Sequence, residues 1–267
     1  MKLPIYQVDA FADRAFAGNP AAVVPLEEWL SDDLMLSIAA ENNLSETAFF
    51  VRENDHYRLR WFTTTTEVDL CGHATLASAH VLFTHLEHQG SEVRFATLSG
   101  PLTVTREADG LLAMDFPARR GEPIEVPGDL AEALGDNPTL VLDTKPMLTL
   151  FDNAERVATL QPDFSKLKRF CEVRGRIGVI ATAIAPENSG WDFVSRLFSP
   201  AKGIDEDPVT GAAHTVLVPY WSARLGKDDL VARQISKRGG TLWCTNAGER
   251  VLMRGRCAGY LIGEISL

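Results

Sequence analysis

Residues 67–75, EVDLCGHAT, put a cysteine, a glycine and a histidine side by side. Such residues serve three chemistries: metal ligation, thiolate attack and proton transfer. Metal ligation needs further donors. The four cysteines, Cys71, Cys171, Cys244 and Cys257, are scattered with no C-x-x-C spacing, which argues against a structural zinc site and against a disulfide framework. No further zinc ligand stands near Cys71 in the sequence. Thiolate attack is helped by a helix N-terminus, which lowers a thiol pKa. A nucleophile also needs a base arranged beside it, and His73, two residues on, need not face the sulfur. Packing is therefore the expected role of Cys71. Proton transfer suits His73 best. In the first turn of a helix the positive end of the dipole favours the neutral imidazole, which can donate or relay a proton. The plain alternative is a satisfied, partly buried histidine.

A second stretch, residues 206–214, EDPVTGAAH, repeats the first without a gap. Glu67 falls on Glu206, Cys71 on Thr210, Gly72 on Gly211, His73 on Ala212 and Ala74 on Ala213. Upstream, RWFT at 60–63 matches RLFS at 196–199, with three extra residues before the second glutamate. Each copy reads as strand, turn, glycine, then a buried helix. Two copies are too few for a solenoid and suit two pseudo-symmetric lobes, each with a helix wrapped by strands. The first N–H groups of a helix have no intrahelical partner and carry the positive end of its dipole, so they form a ready carboxylate or phosphate site. Helix starts at Gly72 and Gly211, facing each other, are expected to clamp a small anion.

The elements that must position these residues are short. Runs such as IYQVDAF, AAVVPL, TAFFV, YRLRWF, LTVTRE and LLAMDF read as strands. SDDLMLSIAAENN reads as a helix capped by Ser31, with Asp32 and Asp33 in its first turn. GHATLASAHVLFTHL and VTGAAHTVLVPYWSARLG are apolar on most sides, which predicts buried helices; Pro219 lies inside the second as a kink candidate and Gly226 stops it. PARRGEPIEVPGDL, from Pro117, reads as a linker. The first lobe is placed at 1–117 and the second at 126–257, with a last strand at about 258–267 returning to the first.

The bulk composition limits the function. The chain has 267 residues, 45% hydrophobic and 23% charged, enough for a real core in one large domain or two ordinary ones. With 26 basic and 36 acidic side chains the formal net charge is −10, so nucleic acid and an anionic membrane are not expected partners. No apolar run reaches membrane length, and the start, KLPIYQVDAF, is too polar for a signal-peptide core; a cytoplasmic location is expected. No dinucleotide fingerprint or phosphate loop is present.

FAGNPAAVV, NLSETAFF, RWFTTTTEVDLCGHATLASA, SPAKGIDEDPVTGAAH and QISKRGG together resemble the phenazine-biosynthesis PhzF-like family, from the first strand to the last. The resemblance implies an α+β fold of the diaminopimelate-epimerase type: two similar lobes, each a β-barrel-like sheet around a central helix. It implies a cofactor-independent isomerase, needing no metal, that moves a proton on a small carboxylate substrate, and a homodimer. The glutamate of S-E-T-A-F, here Glu46, is then the proton-shuttling acid/base, with His73 and Asp207 assisting and Gly72 and Gly211 supplying backbone N–H groups. By position alone Glu46 is equally a solvated loop or capping residue, although flanking buried strand disfavours its charged form, and Asp207 is equally a cap before Pro208. Asn19, a turn residue by default, lies in a loop that borders the family's site and is a binding candidate. Many members carry G-S-A-H in the second motif. Here Ala212 replaces the serine, one hydroxyl donor is missing, and the archetypal substrate is not carried over. The related epimerases use two opposed thiols; Cys71 has its echo in Thr210, whose hydroxyl does not ionise near neutral pH, so two-thiol racemisation is not expected. The rival reading is a ligand-binding or regulatory protein that keeps the cleft without turnover.

Overall fold

The computed structural model describes all 267 residues. The chain divides into two compact units, residues 1–115 with 254–267, and residues 116–253.

In the first unit the strands Asn19–Leu26 and Glu46–Glu53 run parallel. The helix Asp32–Asn42 makes the crossover between them, as a parallel pair requires. Its start was legible: the Ser31 side chain accepts from the Leu34 amide, and Asp32 and Asp33 occupy the first turn. Its buried Met35, Ile38 and Ala39 pack on Val24, Phe49 and Phe62; burial of a methionine or isoleucine side chain contributes about 1.5–3 kcal/mol. The strand His56–Phe62 continues the sheet antiparallel to Glu46–Glu53 and carries the short strand Glu67–Val68. The helix Gly72–Thr84 follows, then Glu92–Thr97, parallel to His56–Phe62, and Gly100–Arg106. At the other edge Lys2–Ala10 pairs with Asn19–Leu26 on one side and with the last strand, Cys257–Ser266, on the other.

The second unit repeats this order. Met147–Leu150 runs parallel to Val179–Ile184, with the helices Ala154–Thr159 and Phe164–Val173 in the crossover. Phe193–Ser199 continues antiparallel and carries the short strand Ile204–Asp207. The helix Gly211–Leu225 follows, then Asp229–Gln234, parallel to Phe193–Ser199, and Gly240–Ala247. The register agrees as well: Phe62 faces Glu67 as Phe198 faces Glu206. The three extra residues of the second copy form a 3-10 turn, Pro200–Lys202, closed by Gly203 at φ +82°. The helix runs unbroken through Pro219 and ends on Gly226 in the left-handed region.

Both central helices are apolar on most sides, and both are buried along most of their length. Hydroxyls inside the first of them return to its own backbone: Thr75 donates to the Cys71 carbonyl at 2.6 Å and Ser78 to the Ala74 carbonyl at 2.7 Å. No helix is long and apolar enough to cross a membrane.

The segment read as a linker is pinned within the second unit. Pro123–Ile124 is a strand paired with Leu140–Leu142. The amides of Ala118 and Arg119 donate to the Glu249 and Thr215 carbonyls. Its proline and charge reflect an exposed edge, and backbone hydrogen bonding to the sheet holds it.

Candidate active site

Asn19 opens one strand and Glu46 opens its parallel neighbour, where Ala21 pairs with Glu46. Both therefore sit at the same end of the sheet. The helix Gly72–Thr84 packs on these strands and brings its first turn to that end. There the His73 Nε2 lies 3.2 Å from a Glu46 carboxylate oxygen. The Asn19 Nδ2 lies 3.3 Å from His73 Nδ1, and the Cys71 sulfur 3.5 Å from the same nitrogen. Asn19, Cys71 and His73 are buried and Glu46 is nearly so.

The electrostatics of this group depart from the sequence reading in one respect. Burial pushes the imidazole down, but the Cys71 sulfur and the Glu46 carboxylate beside it raise its pKa well above the usual value. Cys71 moves the other way: burial, then the nearby Glu46 charge, push its thiol up to about 11. It is a protonated, packed side chain near neutral pH, and the lowered pKa that a helix start can confer is absent. The sulfur does face His73, which spacing alone had left open. Glu46, Cys71 and His73 also offer one ligand atom each within 4.8 Å of one another. The sequence showed no third ligand near Cys71 because Glu46 arrives from another strand.

In the second unit Asp207 ends the strand Ile204–Asp207 and accepts from the Thr210 hydroxyl. Gln234 is fully buried and fixes this turn. Its Oε1 accepts from the Thr210 amide at 2.9 Å, and its Nε2 donates to the Asp207 carbonyl at 2.8 Å. Gly211 opens the helix, buried, and Ala212 is exposed beside it. Neither central helix is closed by a side-chain bond from its N-cap residue, Cys71 or Thr210, whereas Ser31, Asn153 and Asp163 all cap theirs. The first-turn amides at Gly72 and Gly211 are thereby left to other acceptors.

Residues 8–261 match the PhzC-PhzF family, described as phenazine biosynthesis-like protein. The chain belongs to this family. Among PhzC-PhzF relatives, an uncharacterized isomerase of Pseudomonas aeruginosa is 52% identical over the whole of both chains. The crystal structure of a PhzF-family protein from Enterococcus faecalis superposes with a TM-score of 0.94 at 44% identity, covering 100% of both chains. A hydroxyproline epimerase from Agrobacterium vitis shares the fold at a TM-score of 0.60 and 12% identity, covering 100% of this chain and 93% of its own. The PhzC-PhzF chain thus has the mixed α+β fold common to these proteins and to the racemase and epimerase group.

Sequence reasoning missed two contributions in this PhzC-PhzF chain. Gln234 stands at the head of QISKRGG, but no local pattern signals a buried glutamine that holds a turn 24 positions earlier. Asn19 was noted as a loop residue near the site; its bond to the His73 ring could not be read from a turn signature.

Proposed function

We propose that this chain, an enzyme of the PhzF-like isomerases, moves a proton between carbons of a small carboxylate, with Glu46 as the group that takes and returns it. The observation that carries the reading is the 3.2 Å approach of His73 Nε2 to the Glu46 carboxylate, in a largely buried corner at the end of two strands. A carbon acid is weak, and its removal needs a base held in place and a donor for the charge that develops. Glu46 is the base. The His73 ring keeps that carboxylate oriented and ionised before the transfer and can pass a proton to or from it afterwards. The first-turn amide at Gly72 is an available donor for developing negative charge. Asn19 orients the imidazole. Asp207, Gly211 and Ala212 belong to the same proposal as substrate-binding positions, and an amino or hydroxyl group on the substrate suits Asp207. Names borne by relatives, an isomerase and an epimerase, support proton movement at carbon.

The test is solvent-deuterium incorporation into candidate amino- and hydroxy-carboxylates, followed by NMR. Wild type is expected to label at one carbon, and Glu46→Gln to lose at least ~100-fold in rate, the usual scale for a general acid/base. Exchange that persists undiminished in Glu46→Gln excludes Glu46 as the base. Binding of a carboxylate with no labelling at all favours the cleft-retaining, non-catalytic alternative.

A further inference from the structure

The duplication leaves a space in the first unit that the second unit fills. In the second unit the helix Ala154–Thr159 packs on the strand Phe193–Ser199, with Val157 and Leu160 in one buried cluster with Phe198. There the Arg196 Nη1 donates to the carbonyls of Val157 and Leu160, at 3.1 and 2.8 Å. The first unit has no helix at the matching point of its crossover: residues 27–31 lead directly into the helix Asp32–Asn42. The matching atom, Arg60 Nη1, meets the exposed Asp32 carboxylate at 2.9 Å instead. Beside it lies an open pocket of about 620 Å³, walled by residues 29–32, 53, 58–60, 67 and 96–98. We propose that this pocket is a second binding site, apart from the Glu46 corner, for a free α-amino acid with an apolar side chain.

Strand alternation sets the pocket apart from the candidate active site. Phe49 pairs with Arg60, Val51 with Arg58 and Glu53 with His56, so these side chains share one face of the sheet. Glu46 lies an odd number of positions from Phe49, Val51 and Glu53 and points to the other face. The lining suits a zwitterion. Arg58 is exposed, and its guanidinium has no hydrogen-bond or ion-pair partner. Such a planar fork takes a carboxylate through two parallel bonds. Arg60 is already gripped by Glu67 through two bonds of 2.7 Å. Asp32 gives one oxygen to Arg60 and keeps the other open, and Glu53 stands on the same wall. Asp32, Glu53 and Glu67 together outnumber the two arginines, so an anion alone is poorly matched, and an ammonium beside the carboxylate corrects the balance. Trp29, Leu30 and Leu98 supply apolar wall, and Leu98 is 62% exposed. An apolar side chain lying on them leaves water as it binds. The helix end that fills this space in the second unit likewise presents oxygen to arginine and carbon to an apolar wall.

Trp29 is a reporter within the pocket. Full-length protein labelled with 5-fluorotryptophan is titrated with L-phenylalanine and followed by fluorine NMR, and Trp29→Phe assigns the Trp29 signal among the five tryptophans. L-Phenylalanine is expected to move that signal saturably. 3-Phenylpropionate, which lacks the amine, and 2-phenylethylamine, which lacks the carboxylate, are each expected to bind at least ~10-fold more weakly. L-Serine, which lacks the apolar group, is expected to bind at least ~10-fold more weakly as well. Arg58→Ala, and Asp32→Asn combined with Glu53→Gln, are expected to abolish the shift. Circular dichroism confirms that each variant is folded; Arg58→Gln replaces Arg58→Ala if it is not. A Trp29 signal that stays still up to about 10 mM L-phenylalanine, or moves equally with 3-phenylpropionate, overturns the site. So does a shift that survives the loss of Arg58. Movement of other tryptophan signals with Trp29 still locates the amino acid elsewhere and overturns it too. The readout sits at Trp29, so the result stands whether or not Glu46 is the base.

Discussion

His214 is the residue whose environment is furthest from what its sequence neighbours imply. It closes the G-A-A-H stretch and falls on Thr75 in the repeat, which is no catalytic position. In the fold it is fully buried, its Nδ1 donates to the Thr210 carbonyl at 2.8 Å, and its Nε2 has no hydrogen-bond partner. Burial drives its pKa down to about 4. Below the ordinary value of 6.5 the unfolded chain takes up a proton that the folded chain refuses until about pH 4. The unfolded state binds more protons throughout that window, so stability falls as the pH falls through it and is whole above it. The loss from this residue amounts to about 3 kcal/mol at the low end. His214→Gln is expected to give a shallower fall between pH 6.5 and pH 4 when urea unfolding is measured across pH. An unchanged slope would show that the acid limb comes from other groups. At this scale the sequence was informative for Glu46, Cys71 and His73, which lie in dense motifs. It was silent on His214 and Gln234, whose partners are set by packing.

Among the elements, the paired strand ends carry the most legible signal. Arg60 grips Glu67 through two bonds of 2.7 Å, and Arg196 grips Glu206 through bonds of 2.7 and 2.9 Å. Each guanidinium also lies over the phenylalanine two positions on, at 5.1 Å for Phe62 and 4.8 Å for Phe198. The echo visible in the sequence, R-x-F followed by glutamate, is this repeated clamp. Spacing could not reveal what else each arginine holds. Arg60 reaches the exposed Asp32 at 2.9 Å. Arg196 donates to the carbonyls of Val157 and Leu160, at 3.1 and 2.8 Å, and so closes the end of the helix Ala154–Thr159. A lysine has a point charge and cannot satisfy a fork and a helix end together. Arg196→Lys is expected to cost about 2–3 kcal/mol, less than outright loss of one partner of a buried pair. Arg60→Lys should cost visibly less, because its extra contact is solvated. Chemical denaturation of the two variants checks the ranking, and equal costs would remove the assigned role of the helix-end carbonyls.

The whole molecule was legible as two repeats of one topology because the central helices and their flanking strands repeat in residue type. The crossovers were harder: one helix spans the first and two short helices span the second, and the sequence of 154–159 is too short and polar to announce itself. The return of the last strand has a measurable consequence. Cys257–Ser266 pairs with Lys2–Ala10 along its length, from Lys2 opposite Ser266 to Ala10 opposite Cys257. A chain ending at Arg256 strips those bonds. Hydrogen exchange in Lys2–Ala10 should then rise well above that in Glu46–Glu53, which keeps both of its neighbours. Equal protection in the two strands would mean that the terminal strand contributes little.

Thr210 occupies the capping position of its helix, yet its hydroxyl is turned towards Asp207. A threonine free to cap contributes about 1 kcal/mol, so the helix is held below the stability its own sequence allows. Proteins sit near the lowest stability that selection tolerates, and sites that work often explain the deficit. Asp207→Ala releases the hydroxyl to the helix amides. It should melt at or above the wild-type temperature while turnover falls. A directed-evolution screen scoring heat resistance alone would enrich that substitution, and one scoring catalysis would discard it.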